Sequence, residues 1–504
     1  MSSKSLQQAR NYEKIYGGKI GEEERPLFHV SPKIGWMNDP NGFSWYQGEY
    51  HLFYQYHLFN TSWGPMYWGH VRTKDFVQWE WLPTALAPDT EYDNAGCFSG
   101  SAMELPDGRH MLMYTGVQEW KREDGYTESR QVQCVAFGDG ADYEKYEKNP
   151  ILTQADLPEG GSAEDFRDPK IWRDEKENRY YAVIGNRPAD GSGSILLFSS
   201  EDTLHWEFVT VLDNCKNQYG KMWECPDFFI LDNVAVILTS PQEMRARGME
   251  FHNGNGTIYI TGNYDPETHR FDRTEVRAID YGLDFYAPQT VLTPDGRRIM
   301  IGWMQSWETS HSQPHGSKWF GMMTIPRELH IINGRLIQNP VRELERYRSE
   351  PVLYRDVDVR ERIQLPQVCG RSLDMTVRIR PAGEKLYENF TIKVAKDTEN
   401  YTAISYTPGS SILRFDRSNS GFRHDIIASR EVLVRNQGGE LSLRIIMDRF
   451  SVEIFANNGE QAISSTIYTP QDAASISFEA NGMAIMDVEK YDIVIPRKQD
   501  TNPE

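Results

Sequence analysis

The N-terminal two thirds of the chain repeats one short pattern of polar and hydrophobic residues. A polar turn precedes an apolar, strand-forming run at five places: QGEYHLFYQY from residue 47, DGRHMLMYTG from 107, ENRYYAVIGN from 177, LDNVAVILTS from 231 and DGRRIMIGWM from 295. Each has the form of a β-hairpin. The turn markers lie 60, 70, 55 and 63 residues apart, at Gly48, Gly108, Asn178, Asn233 and Gly296. Such intervals suit one four-stranded blade plus loops, so the pattern predicts a five-bladed β-propeller.

The pattern changes in the C-terminal third. SLDMTVRIR (372–380), ENFTIKVAK (388–396) and LSLRIIMDRFSVEIFAN (441–457) alternate apolar and polar residues, as antiparallel strands with one buried face do. This alternation predicts a β-sandwich. All 13 Trp residues lie at or before Trp319, so the sandwich is expected to support the chemistry rather than perform it. The predicted organisation is an N-terminal extension (1–25), the propeller (26–338), a linker (339–359), the sandwich (360–497) and a polar tail (498–504).

Composition excludes several classes of partner. The net charge of −19 argues against binding to nucleic acid or an anionic membrane, because both attract basic surfaces. No apolar run is long enough to span a bilayer, and the polar N-terminus lacks the apolar core of a signal peptide. Five widely spaced cysteines without a CxxC pair favour reduced thiols, which predicts a cytoplasmic location. The oligomeric state is left open.

Three acidic motifs occupy similar positions in their repeats. WMNDPNGF from residue 36, FRDPK from 166 and WECPDFF from 223 place Asp39, Asp168 and Glu224 nine or ten residues before a turn marker. In a propeller this position falls on the first, innermost strand of a blade. We therefore expect the three carboxylates to converge on the central channel. The competing interpretation is that these Asp and Pro residues only form turns.

Paired carboxylates are the minimum equipment for hydrolysis of a glycosidic bond. Glu224 lies among aromatic residues that disfavour its charged form, so it is predicted to be the general acid/base. Asp39 lies in a stretch rich in hydrogen-bond donors that would keep it ionised, as a nucleophile requires. Asp168 follows Arg167, which would hold it ionised to stabilise an oxocarbenium-like transition state. This chemistry requires no metal and no cofactor.

In their order along the chain, WMNDPNG, FRDP and ECPD resemble the signature motifs of glycoside hydrolase family 32. FSGS at 98–101, YAPQT at 286–290, GW at 302–303 and DRFSVEIF at 448–455 also match that family's patterns. The resemblance implies a five-bladed propeller followed by a β-sandwich. It also implies retaining hydrolysis of β-fructofuranosides through a covalent fructosyl-enzyme. Carried over by position, Asp39 is the nucleophile, Asp168 the stabiliser and Glu224 the acid/base.

The resemblance extends to eight further residues that would contact the sugar. They are Asn38, Gln55, Trp63, Phe98, Ser99, Arg167, Tyr286 and Trp303, and the last two are expected at the rim of the fifth repeat. The alternative for each aromatic residue is packing between blades. Cys225, next to Glu224, is interpreted as a small buried filler rather than a nucleophile.

The expected function is that of an intracellular β-fructofuranosidase, with a small carbohydrate such as sucrose or a short fructo-oligosaccharide as its partner. The nearest alternative is a sucrose-6-phosphate hydrolase, for which Lys318 and Arg247 are candidate phosphate contacts. Fructosyl transfer and an inverting mechanism are further enzymatic alternatives. A catalytically silent fructan-binding protein is the alternative of another class.

Overall fold

A computed structural model describes residues 3–310, 313–421 and 427–496. This described part contains seven β-sheets, five before residue 341 and two after it. Its helical segments are short: α1 (Lys4–Tyr12), a π-helical turn (Glu13–Gly17) and 3-10 turns at Glu22–Glu24, Gln154–Asp156 and Arg342–Tyr347. None of these helices is long and apolar enough to cross a membrane. The prediction of an all-β propeller followed by a β-sandwich is confirmed.

Each of the first five sheets contains a set of four antiparallel strands. In sheets 1 to 4 these strands are consecutive along the chain, whereas in sheet 5 a short strand that pairs with sheet 1 intervenes after the second strand. The strands are β1 (Gly35–Tyr46), β2 (Glu49–His57), β3 (Tyr67–Thr73) and β4 (Glu80–Leu86) in sheet 1; β5 (Gly96–Glu104), β6 (His110–Lys121), β7 (Thr127–Gly138) and β8 (Tyr143–Lys145) in sheet 2; β9 (Phe166–Asp174), β10 (Arg179–Asn186), β11 (Ser194–Ser200) and β12 (Trp206–Asn214) in sheet 3; β13 (Trp223–Leu231), β14 (Val234–Pro241), β15 (Ile258–Asp265) and β16 (Arg270–Ala278) in sheet 4; and β17 (Tyr286–Leu292), β18 (Arg298–Trp303), β20 (Arg327–Ile332) and β21 (Arg335–Pro340) in sheet 5. Neighbouring strands in each sheet are antiparallel.

The first strands of the five sheets form a closed ring. β1 contacts β5, β5 contacts β9, β9 contacts β13, β13 contacts β17, and β17 contacts β1 again. A two-stranded parallel pairing secures the closure, because β19 (Trp319–Phe320) lies beside Gly35 and Trp36 at the start of β1. The first and last sheets are therefore joined by backbone hydrogen bonds as well as by packing.

Each innermost strand is interrupted at the same height in the ring. The pairing register shifts between Met37 and Pro40, Phe98 and Gly100, Arg167 and Lys170, Glu224 and Asp227, and Tyr286 and Gln289. Four of the five interruptions contain a proline, which has no N–H to continue the ladder. In three of the interruptions the residue directly before the proline has a positive φ angle: Asp168 (67°), Cys225 (48°) and Ala287 (49°). Such bulges turn the side chains away from the regular strand alternation, here towards the ring axis.

Apolar side chains fill the spaces between neighbouring sheets. Between sheets 2 and 3, for example, Met113 and Val135 pack in one buried cluster with Phe166 and Ile184. The central strands are buried on both faces, which explains why their sequences are nearly continuous hydrophobic runs. The N-terminal helix α1 packs against sheet 1, where the Arg10 Nε donates to the Thr84 carbonyl over 2.9 Å.

The two remaining sheets pack face to face around one hydrophobic core. The six-stranded sheet has the order β22 (Val352–Val359), β32 (Ala484–Asp492), β23 (Leu373–Pro381), β28 (Leu441–Asp448), β29 (Ser451–Ala456) and β30 (Gln461–Thr466); the five-stranded sheet has the order β27 (Ser429–Leu433), β26 (Ile412–Asn419), β25 (Tyr401–Thr407), β24 (Asn389–Lys396) and β31 (Ser475–Asn481). The predicted linker 339–359 needs correction, because its last eight residues form β22 and pair with β32. The other predicted domain limits stay predictions.

A fully buried ionic network joins the propeller to the sandwich. His29, before β1, contacts the carboxylates of Asp448 and Glu453 in the sandwich, each over 2.9 Å. Glu453 also accepts a hydrogen bond from Arg327 of β20 (2.6 Å), and Arg327 donates to Asp280 of the propeller over 3.0 Å. Burial alone lowers the pKa of His29, but the two carboxylates outweigh this effect and raise the pKa to about 9. Asp448 and Glu453 belong to the DRFSVEIF segment, so that segment serves the domain interface.

Because the pKa of His29 is raised from 6.5 to about 9, its charge stabilises the folded protein fully below pH 6.5 and progressively less as the pH rises through 9. His29→Gln would leave the buried Asp448 carboxylate without its cationic partner and Glu453 with Arg327 alone. We expect a loss of about 3–5 kcal/mol in the free energy of unfolding near pH 6.5. The difference between wild type and variant should shrink towards pH 10, as measured by urea denaturation across this range. The half-exposed His330 provides the matched control, since His330→Gln should change stability by less than about 0.5 kcal/mol; an equal loss in both variants would contradict the role of the network.

Candidate active site

The three predicted carboxylates meet at the bulges of the innermost strands. Asp39 of β1, Asp168 of β9 and Glu224 of β13 come from three different sheets. The Cys225 thiol lies 3.6 Å from the Asp39 Oδ2 and 3.6 Å from the Asp168 Oδ2, and the Cys225 N–H donates to the Asp168 Oδ2 over 2.9 Å. Glu224 is the residue before Cys225. The three carboxylates that the sequence predicted to converge are therefore brought together at one place on the innermost strands.

Asp39 is buried among few hydrogen-bond donors. The Asn38 Nδ2 donates to its Oδ1 over 3.2 Å, the Ser99 hydroxyl lies 3.5 Å from its Oδ2, and the Trp36 Nε1 fixes the Asn38 amide over 2.7 Å. Burial, followed by the negative charges of Glu224 and Asp168, raises the pKa of Asp39 from 3.8 to about 7. The expectation that hydrogen bonds keep Asp39 strongly ionised was wrong, because burial and neighbouring charge outweigh the donors.

Arg167 binds to Glu224 and to Asp165, the latter over 2.8 Å, and not closely to its sequence neighbour Asp168. Its Nε and Nη2 lie 3.1 and 3.0 Å from the Glu224 Oε1, whereas the Nε is 4.0 Å from the Asp168 Oδ2. Side chains of adjacent strand residues diverge, and the long Arg167 side chain crosses to the next sheet. Burial raises the pKa of Asp168, and Arg167 offsets only part of this effect. The apolar surroundings predicted for Glu224 are thus replaced in part by a cation.

Tyr286 and Trp303 do not lie at a solvent-exposed rim, where the sequence placed them. Both residues are fully buried. The Tyr286 hydroxyl lies 2.6 Å from the Glu224 Oε2, so Tyr286 contacts the site although it is buried. Trp303 packs against Trp36, with ring centroids 5.8 Å apart, and supports the strand that carries Asn38 and Asp39. The two residues pair at the end of the β17–β18 ladder, and they are buried because they pack in one cluster with Trp36, Met66 and Phe320.

The remaining predicted sugar contacts divide into buried and exposed residues. Gln55 is buried opposite the Asn38–Asp39 bulge, and its Nε2 donates to the Cys97 carbonyl over 3.0 Å. Trp63 is half exposed, and the edge of its ring meets the half-buried Phe98 at a centroid distance of 6.2 Å. Trp63 and Phe98 therefore form an aromatic wall between sheets 1 and 2.

Two residues of the site, Thr115 and Gln131, were missed in the sequence, and a third, Cys225, was interpreted there only as a buried filler. Cys225 contacts two carboxylates, and burial, followed by the charges of Asp168 and Asp39, raises the pKa of its thiol, which stays a protonated donor. The Thr115 hydroxyl oxygen accepts the Asp168 N–H over 2.9 Å, and the Gln131 Oε1 accepts from the Arg167 Nη1 over 3.2 Å. Cys225 could have been found from its place in the ECPD motif, but Thr115 and Gln131 carry no local signal.

No group of three or more His, Cys, Asp or Glu side chains within the described residues is arranged to hold a metal ion. The site instead has two carboxylates, Asp39 and Glu224, for covalent chemistry and proton transfer, with Asp168 as a third beside them. The Arg167 guanidinium and the Tyr286 hydroxyl both contact Glu224. Two carboxylates at one site are the minimum equipment for hydrolysis of a glycosidic bond. Fold and site together define a glycoside hydrolase.

Comparisons with known proteins agree with this class over the whole chain. Residues 29–340 match the description "Glycosyl hydrolases family 32 N-terminal domain", and residues 343–494 match "Glycosyl hydrolases family 32 C terminal". A sucrose-6-phosphate hydrolase of Escherichia coli is 35% identical and is covered over 98% of its length by 96% of this chain. A raffinose invertase of Escherichia coli is 36% identical, with 92% of this chain and 93% of that protein covered.

A solved structure of a Bombyx mori GH32 beta-fructofuranosidase in complex with sucrose has a TM-score of 0.83 and 32% identity, covering 98% of this chain and 99% of that one. The chain therefore belongs to glycoside hydrolase family 32. The predictions of this family and of a glycosidase of the β-fructofuranosidase type are confirmed.

The Thr115 hydroxyl is expected to stabilise the bulge at Asp168. Thr115→Val would leave the buried Asp168 N–H without an acceptor, and we expect a loss of about 1–3 kcal/mol in the free energy of unfolding. Thr115→Ser keeps the hydroxyl and should retain most of the stability. Urea denaturation of the three proteins measures this difference, and equal losses in the Val and Ser variants would show that the hydroxyl is not the cause.

Proposed function

We propose that the protein is a retaining β-fructofuranosidase that releases terminal β-D-fructofuranosyl units from sucrose and short fructo-oligosaccharides. The observation that carries the proposal is the meeting of Asp39, Asp168 and Glu224 around Cys225 and Arg167. The family and the relatives named above support the substrate class. In the similar Bombyx mori structure the bound ligand is sucrose.

In the first step, a carboxylate oxygen of Asp39 attacks the anomeric carbon of the terminal fructosyl unit. The bond to the glycosidic oxygen breaks as Glu224 gives that oxygen its proton, and the rest of the sugar leaves as an alcohol. The fructosyl unit is then an ester of Asp39. The Arg167 guanidinium and the Tyr286 hydroxyl, which both contact Glu224, stabilise the carboxylate that forms when the proton leaves.

In the second step, the ionised Glu224 takes a proton from a water molecule, whose oxygen attacks the same carbon. The ester bond to Asp39 breaks, and fructose leaves with its original anomeric configuration. Asp168 is held beside Asp39 through Cys225, where its charge stabilises the positive charge that develops on the sugar ring in both steps. Asn38 and Ser99 orient the attacking carboxylate.

The sucrose-6-phosphate alternative finds no support at its candidate residues. The Lys318 Nζ is paired with Glu24 at 2.9 Å, and the Arg247 guanidinium stacks on the Tyr219 ring at 4.8 Å. Neither residue contacts the three carboxylates. Comparison of kcat/KM on sucrose and on sucrose 6-phosphate distinguishes the two substrates directly. A cytoplasmic location remains a prediction.

Replacement of the reacting groups tests the proposed roles. Asp39→Ala and Glu224→Gln should each lower kcat on sucrose by a factor of about 10³ or more, because one removes the nucleophile and the other the proton donor. Thermal unfolding should show that both variants remain folded. Initial release of β-fructose, followed by NMR in the wild type, tests retention, and early α-fructose would exclude the covalent intermediate. Sucrose hydrolysis at the wild-type rate in either variant would refute the assignment.

The pH profile tests the electrostatics of Asp39. A nucleophile must be ionised, so kcat/KM should fall as the pH drops through the Asp39 pKa of about 7. Glu224→Gln removes one of the charges that raise this pKa and should move the acidic limb to lower pH. An aryl β-fructofuranoside, whose leaving group needs no proton, allows the measurement in the variant. Glu175→Gln, at an exposed position far from the site, is the control; an acidic limb that stays in place in Glu224→Gln would contradict the coupling.

A further inference from the structure

The hairpin between β6 and β7 extends beyond the sheet on the side of the propeller that carries the carboxylates. β5 begins at Gly96, which pairs with Val117, but β6 and β7 continue to pair up to Lys121 and Thr127. Asn94 accompanies the hairpin only as far as Glu119, through two hydrogen bonds of 2.9 Å. Residues 120–129, called the arm below, therefore stand free of the innermost strand.

The base of the arm is part of the active-site wall. Gln131 lies immediately below the arm, and its side chain accepts hydrogen bonds from the Arg167 Nη1 and from the Phe166 N–H. Trp120 pairs with Glu128, which lies three residues before Gln131 on β7, towards the tip of the arm. At about 3.3 Å per strand residue, Trp120 lies about 10 Å from the level of Gln131 along the arm. The arm thus begins beyond the residues that contact the three carboxylates and extends away from them.

Trp120 is held as a rigid, partly exposed surface. The residue is 36% exposed, and the Arg130 guanidinium lies 4.8 Å from its ring centroid. Arg130 is in turn paired with Glu128 over 3.1 Å. A cation–π contact and an ion pair therefore fix one side of the ring and leave its remaining area open to solvent. Tyr126, which is 60% exposed, adds a second aromatic ring near the tip of the arm.

From this geometry we propose that the arm is an outer sugar-binding subsite, in which Trp120 packs against the third or a later unit of an oligosaccharide. The inference rests on the proposed function, because the terminal fructosyl unit of that oligosaccharide occupies the site at Asp39. Sugar rings present faces rich in C–H groups that pack on aromatic rings, and Glu128 and Arg130 offer an acceptor and donors for their hydroxyls. Sucrose has two units and ends before it reaches the arm.

The experiment compares kcat/KM on sucrose and on nystose, a tetrasaccharide, in the wild type and in Trp120→Ala. We expect the ratio of nystose to sucrose activity to fall about 3- to 10-fold in the variant, through a higher KM for nystose. Activity on sucrose should not change. Trp120→Phe keeps an aromatic face and should restore most of the ratio, which separates loss of stacking from loss of folding.

Trp81 provides a matched control on the same molecule. It is 38% exposed and carries a cation–π contact with Arg25 at 4.9 Å, but it lies near the start of β4, the outermost strand of sheet 1. Trp81→Ala should leave the ratio of the two activities unchanged, and thermal midpoints of both variants report any general destabilisation.

The outcomes separate this inference from the proposed function. An unchanged ratio in Trp120→Ala, an equal loss on both sugars, or a wild type that cleaves sucrose and not nystose would each overturn the subsite. A wild-type protein that releases no fructose from any β-fructofuranoside would instead refute the proposed function.

Discussion

The Arg167 guanidinium is the positive charge around which the active site is arranged. Of the three site carboxylates it pairs closely with Glu224 and more distantly with Asp168, and it also pairs with Asp165 at 2.8 Å. Negative charge therefore accumulates in a place that water reaches poorly, and the pKa of Asp39 rises to about 7. Repulsion of this kind keeps a proton in the site near neutral pH. That proton is held on Asp39, the proposed nucleophile, so the site reaches its reactive form, with Asp39 ionised, only as the pH rises through about 7.

Such crowding of charge would push the strands apart if the backbone could move. The ring of innermost strands prevents this, because each strand contacts its neighbours and β19 ties the last sheet to the first. The bulges have their own cost, since Asp168 and Cys225 adopt positive φ angles. Hydrogen bonds from the Asp168 N–H to the Thr115 hydroxyl and from the Cys225 N–H to the Asp168 carboxylate offset part of that cost. Fold stability and catalytic geometry are therefore joined at the same few residues.

The sequence predicted the fold class and the meeting of the three carboxylates, because both depend on repetition. Turn and strand signals recur at similar intervals, and residues at equivalent positions of the blades of a propeller lie at the same height around one axis. Contacts between sheets could not be predicted in this way. Arg167 was assigned to its sequence neighbour, although its long side chain reaches Glu224 instead. The burial of Trp303 and the pKa of Asp39 likewise depend on packing by strands far away in the sequence.

The ionic network at the domain interface has a consequence for how the chain can vary. His29, Asp280 and Arg327 come from the propeller, whereas Asp448 and Glu453 come from the sandwich. A replacement on one side leaves a buried charge on the other without its counterpart. Chimeras that combine a propeller and a sandwich from different homologues would have to transfer all five residues as a set. The propeller and the sandwich are therefore constrained to change together at this interface, even though each has its own hydrophobic core.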